Sequence, residues 1–191
     1  MVLDLAVIPT MSSEATLERL RQIASGFRGL GVIVECGTYL GATLKCLSDS
    51  IAGTPATFHA FEKFQPNEYE VQRARRFGVD ISGVGDSRDW INSNVRFSPN
   101  HEIKLHRTNL KFVEWSGEPI EIFVLDAAKQ NPAFQHVIDT FSGSWIEQVT
   151  KVCLLDAYYR EHDASRDCQR QWLATNYPDH DRLESGAYFI A

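Results

Sequence analysis

Residues 31–44 read GVIVECGTYLGATL. Val32, Ile33 and Val34 form an apolar run without polar alternation, the pattern of a strand covered on both faces. The run ends in a carboxylate, Glu35, and glycines follow at 37 and 41. Beyond them Leu44, Leu47 and Ile51 recur at helical spacing until Gly53. A buried strand, a glycine loop and a helix are therefore expected in that order, with an acid at the strand tip where the loop begins.

The alternation continues in both directions. Upstream, Ser12 or Ser13 can cap a helix running to about Gly26, with Glu14 in its first turn and Leu17, Leu20 and Ile23 on one face. Downstream, TFHAFEK (57–63) reads as a second strand, Asn67 caps a helix through Phe77, and EIKLHRTN (102–109) reads as a third strand. IEIFVLDA (120–127) is the clearest strand. Asn131-Pro132 then opens a helix as cap and first helical residue, lined by Ala133, Phe134, Val137, Ile138 and Phe141 and stopped by Gly143. KVCLLDA (151–157) is a fifth strand. A helix from Asp163 to about Thr175 carries Ala164, Cys168 and Trp172, and GAYFIA (186–191) closes as a sixth strand. Between Gly78 and Asn100 only a short helix is read, capped by Asp86 and containing Trp90 and Ile91. Strands separated by helices imply right-handed crossovers and parallel pairing. The expected fold is α/β: a Rossmann-like, doubly wound, mostly parallel sheet with helices on both faces. One domain over 1–191 is expected, with an N-terminal helix at about 12–26 and a core at 31–191. Both a compact protein and the leading domain of a longer one remain open.

Length and composition agree with this. A chain of 191 residues has room for one sheet covered on both faces. Hydrophobic residues at 43% and charged residues at 23% argue against wholesale disorder. The net charge of −6 speaks against nucleic acid or a membrane surface as partner, because such binders carry a basic stripe. The basic cluster RARR at 73–76 reads as a solvated helix face. No apolar run is long enough to span a bilayer, and the N-terminus lacks the signal-peptide pattern. The four cysteines, at 36, 46, 153 and 168, form no C-x-x-C pair. They read as small buried hydrophobes in a reducing compartment, so a cytoplasmic protein is expected.

In an open parallel sheet, ligands bind beyond the carboxyl ends of the strands. Those ends carry Glu35, Glu62, Asn109, Asp126 and Asp156, so four of five bear an acid at about the same height. Glu62 follows Gly41 by 21 residues, the place from which a carboxylate accepts hydrogen bonds from both ribose hydroxyls. A dinucleotide site wants G-x-G-x-x-G, yet Glu35 stands at the first glycine position and would repel a pyrophosphate. No G-K-[ST] follows, which excludes a P-loop. The loop suits a nucleoside with a positively charged tail, a description that S-adenosylmethionine meets.

VECGTYLGATL followed by FHAFEKF resembles motif I and the next acidic strand of class I S-adenosylmethionine-dependent methyltransferases. The form E-x-G-x-x-x-G-x-[ST] is similar to that of the macrocin-type small-molecule O-methyltransferases. IEIFVLDAAK and KVCLLDAYY resemble that group's fourth and fifth strands, so the likeness spans about 31–160. It implies that Glu35 and the backbone from Cys36 through Gly37 to Gly41 hold the methionine ammonium and carboxylate, and that Glu62 binds the ribose. Asn109 would lie near the adenine, with Tyr39 and Thr43 lining the site. Asp126 would sit under the sulfonium or help bind a metal, with Asp156 as its partner. The implied activity is O-methylation of a small molecule such as a sugar or secondary metabolite.

The chain departs from the pattern at two positions. Metal-dependent members resemble I-D-G-D at strand four and D-D at strand five, whereas this chain has Asp126-Ala127-Ala128 and Asp156-Ala157. The place of the general base is Ala128, and Mg²⁺ held by Asp126 and Asp156 alone would need many waters or substrate oxygens. A sugar hydroxyl still needs a base, for which Lys129, His136 and His162 are the candidates; catalysis would fall to Asp126, Lys129 and Asp156. His59 and His106 lie within strands and read as structural. Trp90, Trp115 and Trp145 read as packing residues, while Tyr158 and Tyr159 follow strand five and can wall a substrate pocket. Two rival readings stay open. One is a domain that binds the cofactor without turnover. The other is a nicotinamide-dependent oxidoreductase, against which Glu35 argues. A homodimer is also left open.

Overall fold

The computed structural model describes residues 8–159, 163 and 167–191. Helix α1 (Glu14–Ala24) starts at Ser13, whose Oγ accepts from the Thr16 N–H at 3.1 Å. Of the two serines proposed as caps, the structure uses the second. Leu17, Leu20 and Ile23 face the core. Strand β1 (Val32–Cys36) leads through Gly37–Gly41 into α2 (Ala42–Ser50). Strand β2 (Ala56–Glu62) is followed by α3 (Glu68–Arg75), α4 (Ser87–Asn94) and β3 (His101–Arg107). Asn67 forms a reciprocal capping box with Glu70 at the start of α3, and Asp86 caps α4. Then come β4 (Ile120–Leu125), α5 (Ala133–Phe141), β5 (Lys151–Leu154), α6 (Cys168–Asn176), β6 (Asp181–Leu183) and β7 (Gly186–Ile190).

The strands form one sheet in the order β3-β2-β1-β4-β5-β7-β6. The first five are parallel, while β7 runs antiparallel to both β5 and β6. Strand β6 has three residues and belongs to a hairpin that the sequence reading passed over, because three residues show no usable periodicity. Helix α5 begins one residue later than the Asn131-Pro132 signal suggests. Pro132 is its N-cap, and Asn131 Oδ1 accepts from the Gln135 N–H at 3.3 Å.

One face of the sheet buries Ile33, Phe58, Ile122 and Val124 against α1 and α2, through Leu17, Leu20, Leu44 and Leu47. The other buries Val34, Phe123, Leu125 and Val152 against Phe134, Val137 and Phe141 of α5 and Leu173 of α6. Alternate strand residues feed the two faces, which is why β1 and β4 are apolar except for Glu35 and Glu121. The helix read from Asp163 lies partly outside the described residues, as do Ala164 and His162. Among the described residues no helix is long and apolar enough to cross a membrane.

Candidate active site

The order of strands reverses between β1 and β4, and a crevice opens at such a switch point. A cleft of about 660 Å³ lies there, lined among others by Gly37, Tyr39, Glu62, Asp126, Lys129 and Asp156. This volume is within the range of small-ligand and cofactor sites. Among the described residues its walls carry five carboxylates (Glu62, Glu70, Asp126, Asp156, Glu184) against two cations (Arg73, Lys129).

The turn after β1 is shaped by close approach. Gly37 adopts φ +96°, and a Cβ there would stand 2.6 Å from the Asp126 carbonyl oxygen and 2.8 Å from the Ala127 Cβ. The strand-four loop therefore presses on this turn, and glycine is required by that packing as well as by φ. Gly41, at φ +83°, opens α2. Tyr39 is held in a left-handed conformation, and its hydroxyl donates to the Glu70 carbonyl at 2.6 Å.

Glu35 pairs in register with Ala60, two residues before Glu62, so the side chains of Glu35 and Glu62 leave the sheet on one face. Glu35 nevertheless sits under the floor of the cleft, fully buried. Its Oε2 accepts from Thr38 Oγ1 at 2.9 Å, and its buried Oε1 has no hydrogen-bond partner. Burial, reinforced by Asp126 and Glu62, pushes its pKa up to about 8. The carboxyl of Asp126 is likewise pushed up to about 8, by burial first and then by Asp156. Glu62 is raised, chiefly by burial, although it accepts from the Lys63 N–H at 2.6 Å. Lys129 Nζ donates to Asp156 Oδ1 at 2.7 Å.

The other expected residues fall elsewhere. Cys36 is buried in the core of the α5 face, and its carbonyl accepts from the Asp126 N–H at 2.9 Å. Thr43 lines a small recess beside the cleft with Thr38, Tyr39 and Asp126. Asn109 is exposed and caps a single 3₁₀ turn, its Oδ1 accepting from the Lys111 N–H at 3.1 Å. It is not among the residues lining the cleft. His136 Nε2 bonds the Val113 carbonyl at 2.9 Å, a structural role. His59 and His106 stack at 5.1 Å, and Tyr159, but not Tyr158, lines the cleft.

Three contributors to the cleft were not legible in sequence. The strap Met11–Ser13 and Thr16 forms one wall, Tyr69, Glu70 and Arg73 of α3 another, and the Glu184-Ser185 turn a third. Arg73 corrects the reading of RARR as a solvated face: its Nε donates to the Thr10 carbonyl at 2.9 Å, and Ala74 beside it is fully buried. Across the cleft, Glu184 accepts from Ser13 Oγ and, at 3.1 Å, from Thr16 Oγ1. The strap is thus tied to α3 at one end and to the β6–β7 turn at the other. Each tie joins residues more than sixty positions apart, so local pattern carries no trace of it. The capping box at Asn67 was the available hint that the start of α3 is rigid enough to build on.

No family model matches the chain, and no curated protein matches it in sequence. Solved structures match its fold. The architecture is Rossmann-like, and the solved structures that share it include methyltransferases. A Corynebacterium glutamicum protein superposes with TM-score 0.60 at 12% identity, over 98% of this chain and 89% of its own. CalS11, a TDP-rhamnose 3′-O-methyltransferase of calicheamicin biosynthesis, aligns with TM-score 0.55 at 10% identity, over 92% of this chain and 77% of its own. The Podospora anserina methyltransferase PaMTH1, bound to S-adenosylhomocysteine, aligns with TM-score 0.54 at 15% identity, over 93% and 78% of the two chains.

Proposed function

We propose that this chain is an S-adenosylmethionine-dependent methyltransferase acting on an oxygen of a small molecule, such as a sugar or secondary metabolite, in the manner of the macrocin-type enzymes. The observation that carries the reading is the acidic cleft at the switch point, with Gly37 and Glu62 together on its wall. A surplus of carboxylates favours a cationic ligand over a pyrophosphate, which also weighs against a nicotinamide dinucleotide.

The residues fit the cofactor. Glu62, on the cleft wall, would accept from the ribose hydroxyls, and the bare Oε1 of Glu35 would supply an acceptor for the amino-acid end. A cation entering the cleft draws Glu35 and Asp126 toward their ionised forms, which offsets their burial. When bound, the cofactor supplies a methyl group on a sulfonium, already a good electrophile. The chain's part is to orient donor and acceptor in line, and orientation alone supplies much of such a rate. Asp126, whose pKa burial raises, takes the acceptor's proton once the cofactor's charge has drawn it into its ionised form.

Isothermal calorimetry with S-adenosylhomocysteine tests the reading. The wild-type chain binds, and Glu62→Ala weakens binding by roughly 1.5–3 kcal/mol, the scale of hydrogen bonds to a charged group. A wild-type chain that gives no heat would sink the proposal. Ala128 and Ala157, standing where the resembling enzymes have acids, favour a second reading, a domain that binds the cofactor without turnover. Release of S-adenosylhomocysteine with a panel of hydroxylated acceptors separates the two.

A further inference from the structure

The resembling metal-dependent enzymes raise the question of whether this cleft fits a divalent cation. Such an ion asks for about six oxygen donors, several of them carboxylate. Ala128 lines the cleft with a methyl group where a further donor would be needed, and Ala157, where the resembling enzymes have an acid, is buried in the core. Among the described residues, no group of three or more His, Cys, Asp or Glu side chains is arranged to hold a metal. The donor set does not fit.

One of the two remaining acids already holds a cation. Lys129 Nζ donates to Asp156 Oδ1 at 2.7 Å, and its charge acts on Asp126 as well. It also stands 4.6 Å from the centroid of the Tyr159 ring, within cation–π range. Asp126, Ala128, Lys129, Asp156 and Tyr159 all line the cleft. Ala128 adopts a left-handed φ of 52°, a conformation unfavourable for a non-glycine residue, so the turn that presents Lys129 is held by its surroundings. An ammonium carries three N–H donors and no acceptor. With one directed at Asp156, two are left for a ligand.

We propose that the Lys129 ammonium is the resident cation of this site, paired with Asp156 in the cleft that Asp126 also lines, and that it takes the place of a divalent metal and holds the acceptor oxygen by charge and hydrogen bond. The role toward an acceptor rests on the methyl-transfer reading; the occupation of the cation position does not. A lysine so held is a charged orienting group, not the base that its place in the sequence first suggested.

Mn²⁺ is the probe, titrated by electron paramagnetic resonance against the full chain. The wild-type chain is expected to show no Mn²⁺ binding at this site below millimolar concentration, and Lys129→Arg to behave the same. Lys129→Ala removes the ammonium beside the two acids, and Lys129→Ala with Ala128→Asp adds a third carboxylate; the double variant is expected to bind Mn²⁺ at least tenfold more tightly than wild type. Should the double variant fail to fold by circular dichroism, Lys129→Ala alone carries the comparison. Wild-type Mn²⁺ binding that Asp156→Asn abolishes, or folded Lys129→Ala and double variants that bind no better than wild type, would overturn the proposal. Calorimetry with S-adenosylhomocysteine on the same wild-type sample reports separately on the methyl-donor reading.

Discussion

Glu35 and Glu121 are both fully buried glutamates on neighbouring central strands, and their surroundings treat them oppositely. Glu121 lies near the amino end of β4, where the register with β1 slips so that Val32 faces Ile120 and Ile33 faces Ile122, leaving Glu121 as the extra residue. Its two oxygens accept from the Arg28 N–H at 2.5 Å and the Leu30 N–H at 2.6 Å, which ties the chain entering β1 to the sheet. Glu35 lies at the carboxyl end of β1 with one hydroxyl partner and one bare oxygen. One end of the sheet closes its acid with backbone donors. The other leaves an acid incomplete beneath a cleft. A buried polar group left unsatisfied is costly, and such a cost is tolerated where a ligand can complete the group.

The contrast can be broken most forcefully at Glu121. Glu121→Ala removes the acceptor from two part-buried backbone N–H groups and is expected to cost about 3 kcal/mol or more, read as a shift of the urea midpoint. A loss under about 1 kcal/mol would mean that Glu121 is no anchor. Glu35→Gln sharpens the comparison in the other direction. The folded-state pKa of Glu35, about 8, lies above its ordinary 4.5. The protonated form is thus favoured by folding, and the stability it brings is complete below pH 4.5 and lost as pH rises toward 8. The neutral glutamine lacks that loss. The variant is expected to be about as stable as wild type at pH 4 and to gain over it by up to about 1.4 kcal/mol for each pH unit between 4.5 and 8, as measured by thermal unfolding across pH. Asp126 adds a slope of the same sign between its ordinary 3.8 and about 8, so the variant flattens the wild-type decline only in part. The smallest effect lies at the strap. Arg73→Ala removes the bond to the Thr10 carbonyl at an expected cost of about 1 kcal/mol. Hydrogen exchange at residues 10–13 should quicken while β1 and β4 stay protected.

The readable parts of this chain are those in which one element reports on itself. VIVEC shows its strand by the apolar run Val32–Val34 that leads into Glu35, and Asn67, Asp86 and Ser13 announce helix starts because capping is a matter of a few consecutive residues. The acid tips were countable for the same reason. The hairpin at Asp181–Ile190 was half missed because β6 is too short to show a period. Arg73 looked solvated because its partner is Thr10, and Glu184 carried no signal because its partners are Ser13 and Thr16. Glu121 and Glu35 read alike as acids in apolar runs, and nothing local separates the satisfied one from the incomplete one.

By itself the sequence determined the alternation of strands and helices, the glycine turn after β1 and the set of acids at the strand ends, since each follows from residue type and spacing within about ten positions. The tertiary structure decided which acids line the cleft and which lies beneath it, that Lys129 stands against Asp156, and that a strap ties α3 to the last hairpin. Those outcomes depend on burial and on distances between residues far apart in the chain, and both exist only once the sheet has assembled.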